Sequence, residues 1–183
     1  KAYRQNDLAI MQANTNLQKV LNSVRKSDPK AKVAALQYVV TDTRLSILLS
    51  TPDAPPLARQ IAFDGKALRN QILAVRMLLS NAQGSVDGLK EKWGESIAKL
   101  VAPYISANEP DNLKKQLQEL HAQLIAPIAN DLKAIGADTL ILVPNDLLRY
   151  VPFAALYDGE RYLVQDYTLS LFNEAVKDDK KNF

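Results

Sequence analysis

Leu140-Ile141-Leu142-Val143-Pro144-Asn145-Asp146-Leu147-Leu148-Arg149-Tyr150-Val151-Pro152-Phe153-Ala154-Ala155-Leu156, continued by Tyr157-Asp158-Gly159-Glu160-Arg161-Tyr162-Leu163-Val164, decides how this chain is read. An all-apolar run stopped by a proline is the pattern of a strand buried on both faces. A compact apolar knuckle around Pro152 and Phe153 comes next. The Asp158-Gly159 pair then predicts a turn opening a hairpin, because glycine reaches the positive-φ backbone such turns need.

Upstream, Leu113, Leu117, Leu120, Leu124, Ile128, Leu132 and Ile135 recur at helical spacing, which predicts one long helix. Pro127 falls inside it and should kink it by removing a backbone donor. Gly136 is placed as its stop. A helix feeding a short apolar strand at Thr139–Val143 is what a parallel sheet covered on both faces requires. Further back, Val33–Val40 and Leu45–Leu49, separated by a turn at Asp42, predict a hairpin, with a third short strand at Ala58–Phe63 beyond Pro52, Pro55 and Pro56. Asp64 is a candidate cap for a helix bearing Leu68, Ile72, Val75 and Leu79 on one face. A loop is expected over Asn81–Gly88, and a helix over Leu89–Tyr104 carrying Trp93, Ile97, Leu100 and Val101. Ser106–Asp111 should interrupt the chain before the long helix starts at Asp111 or Asn112.

The expected fold class is α/β: a central, mostly parallel sheet with an N-terminal hairpin and covering helices. Three segments are expected. Residues 1–30 form a helical lead-in, helical over 3–26 and closed by Ser27-Asp28-Pro29. This lead-in fits either the end of an upstream helical array or a capping helix of the same domain. Residues 31–172 form the domain, and 173–183 a charged, frayed tail around Lys177–Lys181.

Composition removes several function classes. The chain has 183 residues, with 47% hydrophobic and 23% charged residues, as in ordinary globular proteins. No apolar run approaches the roughly 20 residues of a membrane helix. The net charge of +3 comes from 23 scattered Lys and Arg rather than a concentrated basic face, which argues against nucleic-acid binding. Cysteine is absent, so disulfides, thiolate metal sites and a cysteine nucleophile are excluded within these residues. A single histidine excludes a multi-histidine metal site. Six glycines, none in phosphate-loop spacing, leave no nucleotide fingerprint. No cofactor, metal or membrane role is expected, and cysteine-free composition fits the cytoplasm.

Leu120-His121-Ala122-Gln123-Leu124-Ile125-Ala126-Pro127-Ile128, the strand ending at Pro144, Leu147, the knuckle Val151-Pro152-Phe153-Ala154-Ala155-Leu156, and Tyr162-Leu163 form a compound pattern. Their succession resembles the CHAT family, caspase-like bacterial domains often found behind TPR repeats. The resemblance is strong over about residues 113–172 and weaker back to about 33. It implies the N-terminal part of a caspase-like three-layer sandwich, with Pro127, Pro144, Leu147, Pro152, Phe153, Leu156, Tyr162 and Leu163 as structural motif positions. Active members are cysteine peptidases whose dyad is a histidine before a glycine after one strand, and a cysteine after the next. Both come later in the family's order than Tyr162, so no catalytic residue is assigned here. The implied partners are proteins: the remainder of the domain, an upstream helical repeat region and a protein substrate. Two competing readings remain, a CHAT-like scaffold without a dyad acting through protein contacts, and an unrelated α/β interaction domain sharing the knuckle.

Four polar positions stand out. His121 lies mid-helix with no thiol to serve, which favours packing or a half-exposed position over catalysis. Asn145 and Asp146 follow a strand end, where they either border a cleft or cap a turn. Arg149 either orients an acidic group at that cleft or sits in solvent on a single helical turn.

Overall fold

The computed structural model describes residues 16–80, 86–105 and 111–172. The expected frayed tail over 173–183, the interruption at 106–110, and the parts of the lead-in and first glycine loop that fall in 1–15 and 81–85 lie outside the described residues. The described elements are α1 (16–27), β1 (Val33–Val40), β2 (Arg44–Ser50), β3 (Leu57–Ala62), α2 (Gly65–Ser80), α3 (Val86–Trp93), α4 (Glu95–Val101), α5 (Asn112–Leu124), α6 (Ala126–Ile135), β4 (Thr139–Val143), α7 (Leu163–Asp166) and β5 (Thr168–Leu171). The strands form one mixed sheet in the order β3-β2-β1-β4-β5. β1, β4 and β5 are mutually parallel, while β1–β2 and β2–β3 are antiparallel.

Strand alternation sends side chains to opposite faces, and the two faces acquire different covers. Ala34, Leu36, Tyr38, Leu45, Ile47, Leu49, Leu140 and Leu142 face the main core, against Leu68, Ile72 and Val75 of α2, Leu117, Leu120 and Leu124 of α5, and Ile128 and Leu132 of α6. Val33, Ala35 and Ile141 point the other way, against Leu17 and Leu21 of α1. The result is helix, sheet and helices in three layers. β1 is apolar in almost every position because both its faces are covered.

Local signals place the turns. Asp64 accepts hydrogen bonds from the backbone N–H groups of Lys66 and Ala67 at 2.9 and 3.0 Å, capping α2 as its position predicts. Asp111 does the same for α5 through Lys114 N–H at 3.2 Å. Gly136 closes α6 with φ 64°, in the left-handed region that glycine enters without a Cβ penalty.

The kink expected at Pro127 is a full break between α5 and α6 at Ile125. Pro127 has no N–H to give the Gln123 carbonyl, and Ile128 N–H bonds to Ile125 O at 3.0 Å instead of reaching Leu124 O. The buried Leu124 carbonyl is satisfied from the sheet, where Tyr38 Oη donates to it at 3.1 Å.

Four expectations are corrected. The helix expected over 89–104 begins at Val86, so 86–88 is not loop, and it breaks at Gly94, whose φ of 84° has no helical solution. Trp93 is exposed, with the Lys92 ammonium 5.5 Å from its ring, and Leu100 is exposed too. On α2 Leu79 faces solvent, because Met77 and Leu78 turn toward Val101 and Ile105 and draw the apolar face round the helix. The hairpin expected after Asp158-Gly159 shrinks to one bridge, Tyr157 to Tyr162. Gln165 Oε1 takes the Tyr162 N–H at 2.7 Å and Arg161 pairs with Asp166 at 2.6 Å, winding Leu163–Asp166 into α7 instead of a return strand.

Candidate functional site at the carboxyl ends of the parallel strands

β1, β4 and β5 end on the same side of the sheet, and open α/β sheets gather ligands beyond the carboxyl ends of their strands. A cavity of about 180 Å³ lies there, on the α1 face. Gln37 and Val39 of β1, Val143, Pro144 and Asn145 at the end of β4, Arg149, Leu17 and Phe172 line it. The two turns after β4 build its rim. Asp146–Tyr150 is a 3-10 helix, and Phe153–Ala155 is a second one. Val151 between them is extended, and Phe153 N–H bonds back to Val151 O at 2.9 Å.

Phe153, Leu156 and Leu163 are buried, and the Phe153 ring lies 5.6 Å from that of Tyr38, so the knuckle is wedged under β1. Pro144 is also buried, Leu147 and Pro152 are half-buried, and Pro127 is half-buried at the α5–α6 break. Tyr162 is exposed, its ring 5.1 Å from that of Tyr157. Asn145 occupies the N-cap position of the first turn, yet its side chain makes no capping bond. Asp146 begins that turn. Arg149 is exposed and reaches the cavity, while the next residue, Tyr150, carries the Arg76 guanidinium 4.5 Å above its ring. The structure thus brings Asn145 and Arg149 to one cavity, with Pro144 in its wall, and leaves Phe153, Leu156 and Leu163 in the scaffold beneath.

His121 is half-buried on α5, away from this cavity. Burial pulls its pKa below the ordinary histidine value, opposed by the carboxylates of Asp158 and Asp166. Asp158 itself is held below the usual carboxylate range by the backbone N–H groups of Arg161 and Glu160, each at 2.7 Å. No group of three or more His, Cys, Asp or Glu able to hold a metal occurs among the described residues, and none of the described helices is long and apolar enough to cross a membrane.

The other half of the site is an edge. β4 is interior to the sheet, and β5 lies outside it as the edge strand. Thr168 N–H donates to Asp138 O and Phe172 N–H to Leu142 O, both at 2.8 Å, so the intervening Leu169 and Leu171 turn their backbone groups outward. Leu171 is 60% exposed, above an apolar groove floored by Leu142, Val151, Pro152, Phe153 and Leu169. The period-two alternation of Tyr167, Leu169 and Leu171 was the available signal for this strand.

Residues 114–180 match the family model of the CHAT domain, so the resemblance read from the sequence is borne out across that span. The span runs from α5 through the knuckle and β5. The weaker resemblance back to residue 33 lies outside it. No curated protein and no solved structure matches the chain.

Proposed function

We propose that this chain, whose residues 114–180 match the CHAT-domain model, supplies the scaffold of a caspase-like peptidase domain. In this reading the His/Cys dyad is contributed by sequence that follows Phe183 in the parent protein, and residues 1–183 alone are inert toward peptide bonds. The observation that carries the reading is the β5 edge. It is parallel to β1 and β4, carries Leu169 and Leu171, has no strand paired outside it among the described residues, and is flanked by the knuckle groove.

Natural proteins guard exposed strand edges with charge, proline or a cover. The opposite edge follows that rule. β3 is preceded by Pro55 and Pro56, and its Arg59 is held by a two-pronged pair with Asp131 of α6 at 2.8 and 3.1 Å. β5 is short but carries no proline or charged side chain over Thr168–Leu171, which suits a sheet that continues. Strands added there would place their carboxyl ends beside the cavity, where the family puts its histidine and cysteine. The thiolate would attack the peptide carbonyl, and the imidazole would take and return the proton. An upstream helical repeat region and a protein substrate are the partners this reading calls for.

The test is a peptidase assay on the parent protein against a library of unstructured polypeptides. Cleavage abolished by replacing the first cysteine after Phe183 with alanine, and absent from residues 1–183, supports the scaffold role. Turnover that survives the cysteine replacement refutes it. Binding without turnover, or a continuation with no His-Gly and Cys, leaves the dyad-free scaffold for protein contacts as the function.

A further inference from the structure

We propose that the cavity at the carboxyl ends of β1 and β4 binds a carboxylate, with Arg149 as its charge partner. The inference is independent of whether any peptide bond is cut nearby. Besides Tyr38, whose hydroxyl is engaged with Leu124 O, the polar residues lining the cavity are Gln37, Asn145 and Arg149, and all three side chains carry N–H donors. The remaining wall is apolar, with Val39, Val143 and Phe172 prominent. A ligand that fits offers acceptor oxygens with negative charge at one end and a short aliphatic stem at the other.

Arg25, Arg59 and Arg161 are each held by a carboxylate, those of Asp53, Asp131 and Asp166. No ion pair of Arg149 occurs among the described side chains. Asn145 likewise spends no side-chain bond on capping its own turn, so its amide is available to the cavity. A planar guanidinium meets a carboxylate through two parallel N–H···O bonds, a geometry lysine cannot supply. Apolar walls lower the local dielectric and strengthen such a pair relative to open water.

A cavity of about 180 Å³ accommodates the end of an aspartate or glutamate side chain, or a small free dicarboxylate. The two sources share the same recognition chemistry and are separable by experiment.

The experiment is an amide chemical-shift titration of the full 183-residue chain. The probes are aspartate and glutamate capped as N-acetyl, C-methylamide derivatives, their asparagine and glutamine counterparts, and glutarate. Saturable shifts at Gln37, Val39, Asn145 and Phe172 with the charged probes, and none with the neutral ones, are the expected result. Stronger binding of the capped residues identifies a polypeptide as the source, and stronger binding of glutarate identifies a free small acid. Arg149→Gln should weaken binding at least tenfold or so, the scale of a lost charge-assisted bond, with the unfolding midpoint unchanged. Arg149→Lys should recover only part of the loss, and Asn145→Ala gives a second, milder variant that leaves the charge in place. Equal shifts from the neutral probes, non-saturating shifts spread over the surface, or undiminished binding by Arg149→Gln would each overturn the proposal.

Discussion

Tyr38→Phe removes one oxygen from the interior and tests the account of the α5–α6 break directly. The substitution conserves ring volume, so it opens no cavity, and the ring contact with Phe153 is kept. What it loses is the donor to Leu124 O, a carbonyl of a residue with no exposed surface. Pro127 has already diverted the local helix ladder, and Ile128 N–H is engaged with Ile125 O. The orphaned acceptor should therefore cost about 1–3 kcal/mol, the penalty for a buried group left unpaired. For a chain of this length that corresponds to a fall in Tm of roughly 2–12 °C. Urea unfolding followed by circular dichroism would show a lower midpoint with an unchanged slope. A second arm tightens the argument. Pro127→Ala allows the helix to run on, so that Ile128 N–H can reach Leu124 O, and in that background Tyr38→Phe should cost less. The double-mutant cycle measures that difference. If Tyr38→Phe unfolds within a few tenths of a kcal/mol of the parent, the sheet does not satisfy the break and the reasoning fails. The phenol offers an independent check. Burial pushes its pKa far above the ordinary tyrosine range, so the folded state favours the protonated ring. Stability from this group is complete below the unfolded pKa near ~10 and is lost as pH rises past it. Absorbance titration should find one tyrosine that ionises only as the protein unfolds.

Other expectations follow from single residues. Phe153→Ala should destabilise by about 3–5 kcal/mol, and Phe153→Leu by clearly less, since the ring is buried in the knuckle and a melt at parental temperature would remove the knuckle from the core. His121 has a folded pKa below its unfolded value because of burial, so the stability it contributes is present above about pH 6.5 and falls as pH drops through that value. His121→Gln should flatten this part of the stability–pH curve, and an unchanged slope would reassign it. Leu171→Lys places a charge on the open edge, and should suppress any concentration-dependent association seen by analytical ultracentrifugation without lowering Tm. A parent chain that stays monomeric at high concentration would show that the β5 edge is not sticky.

The parts of the fold that sequence made legible share one property, that local chemistry and global packing agree there. β1 and β2 are β-branched or apolar, flanked by turn residues, and face a buried core on at least one side. Asp64, Asp111 and Gly136 terminate helices by bonds and dihedrals that need only their own neighbourhood. Legibility fails where a distant partner chooses between two local solutions. The outcome at Pro127 depends on Tyr38, which lies 86 positions before the Leu124 carbonyl it satisfies. Leu163 and Val164 suit a strand by propensity, but Gln165 and Asp166 close a helical turn around them. β5 was readable as an alternating stretch, yet its position outside β4 depends on a pairing that no short window contains. Of the site, Asn145 and Arg149 were singled out from chain position alone. Gln37, Val39 and Phe172 were not, since only the parallel register brings the ends of three strands together.

The sheet order also has a kinetic consequence. β1, β2 and β3 form a meander whose contacts are local, as in the turn where Arg44 N–H bonds to Thr41 Oγ1 only three residues away. β1 meets β4 across a much longer stretch, and the bond from Lys32 N–H to Asp138 spans 106 positions. Loop-closure entropy rises with the logarithm of that span, by about 0.6 kcal/mol for each doubling, so the parallel half should assemble after the meander. Until then β1, the most thoroughly apolar strand of the sheet, waits with one side unpaired. Its exposure to a neighbouring chain during refolding is thus set by how soon α5 and α6 deliver β4, and not by the strength of any contact in the finished sheet.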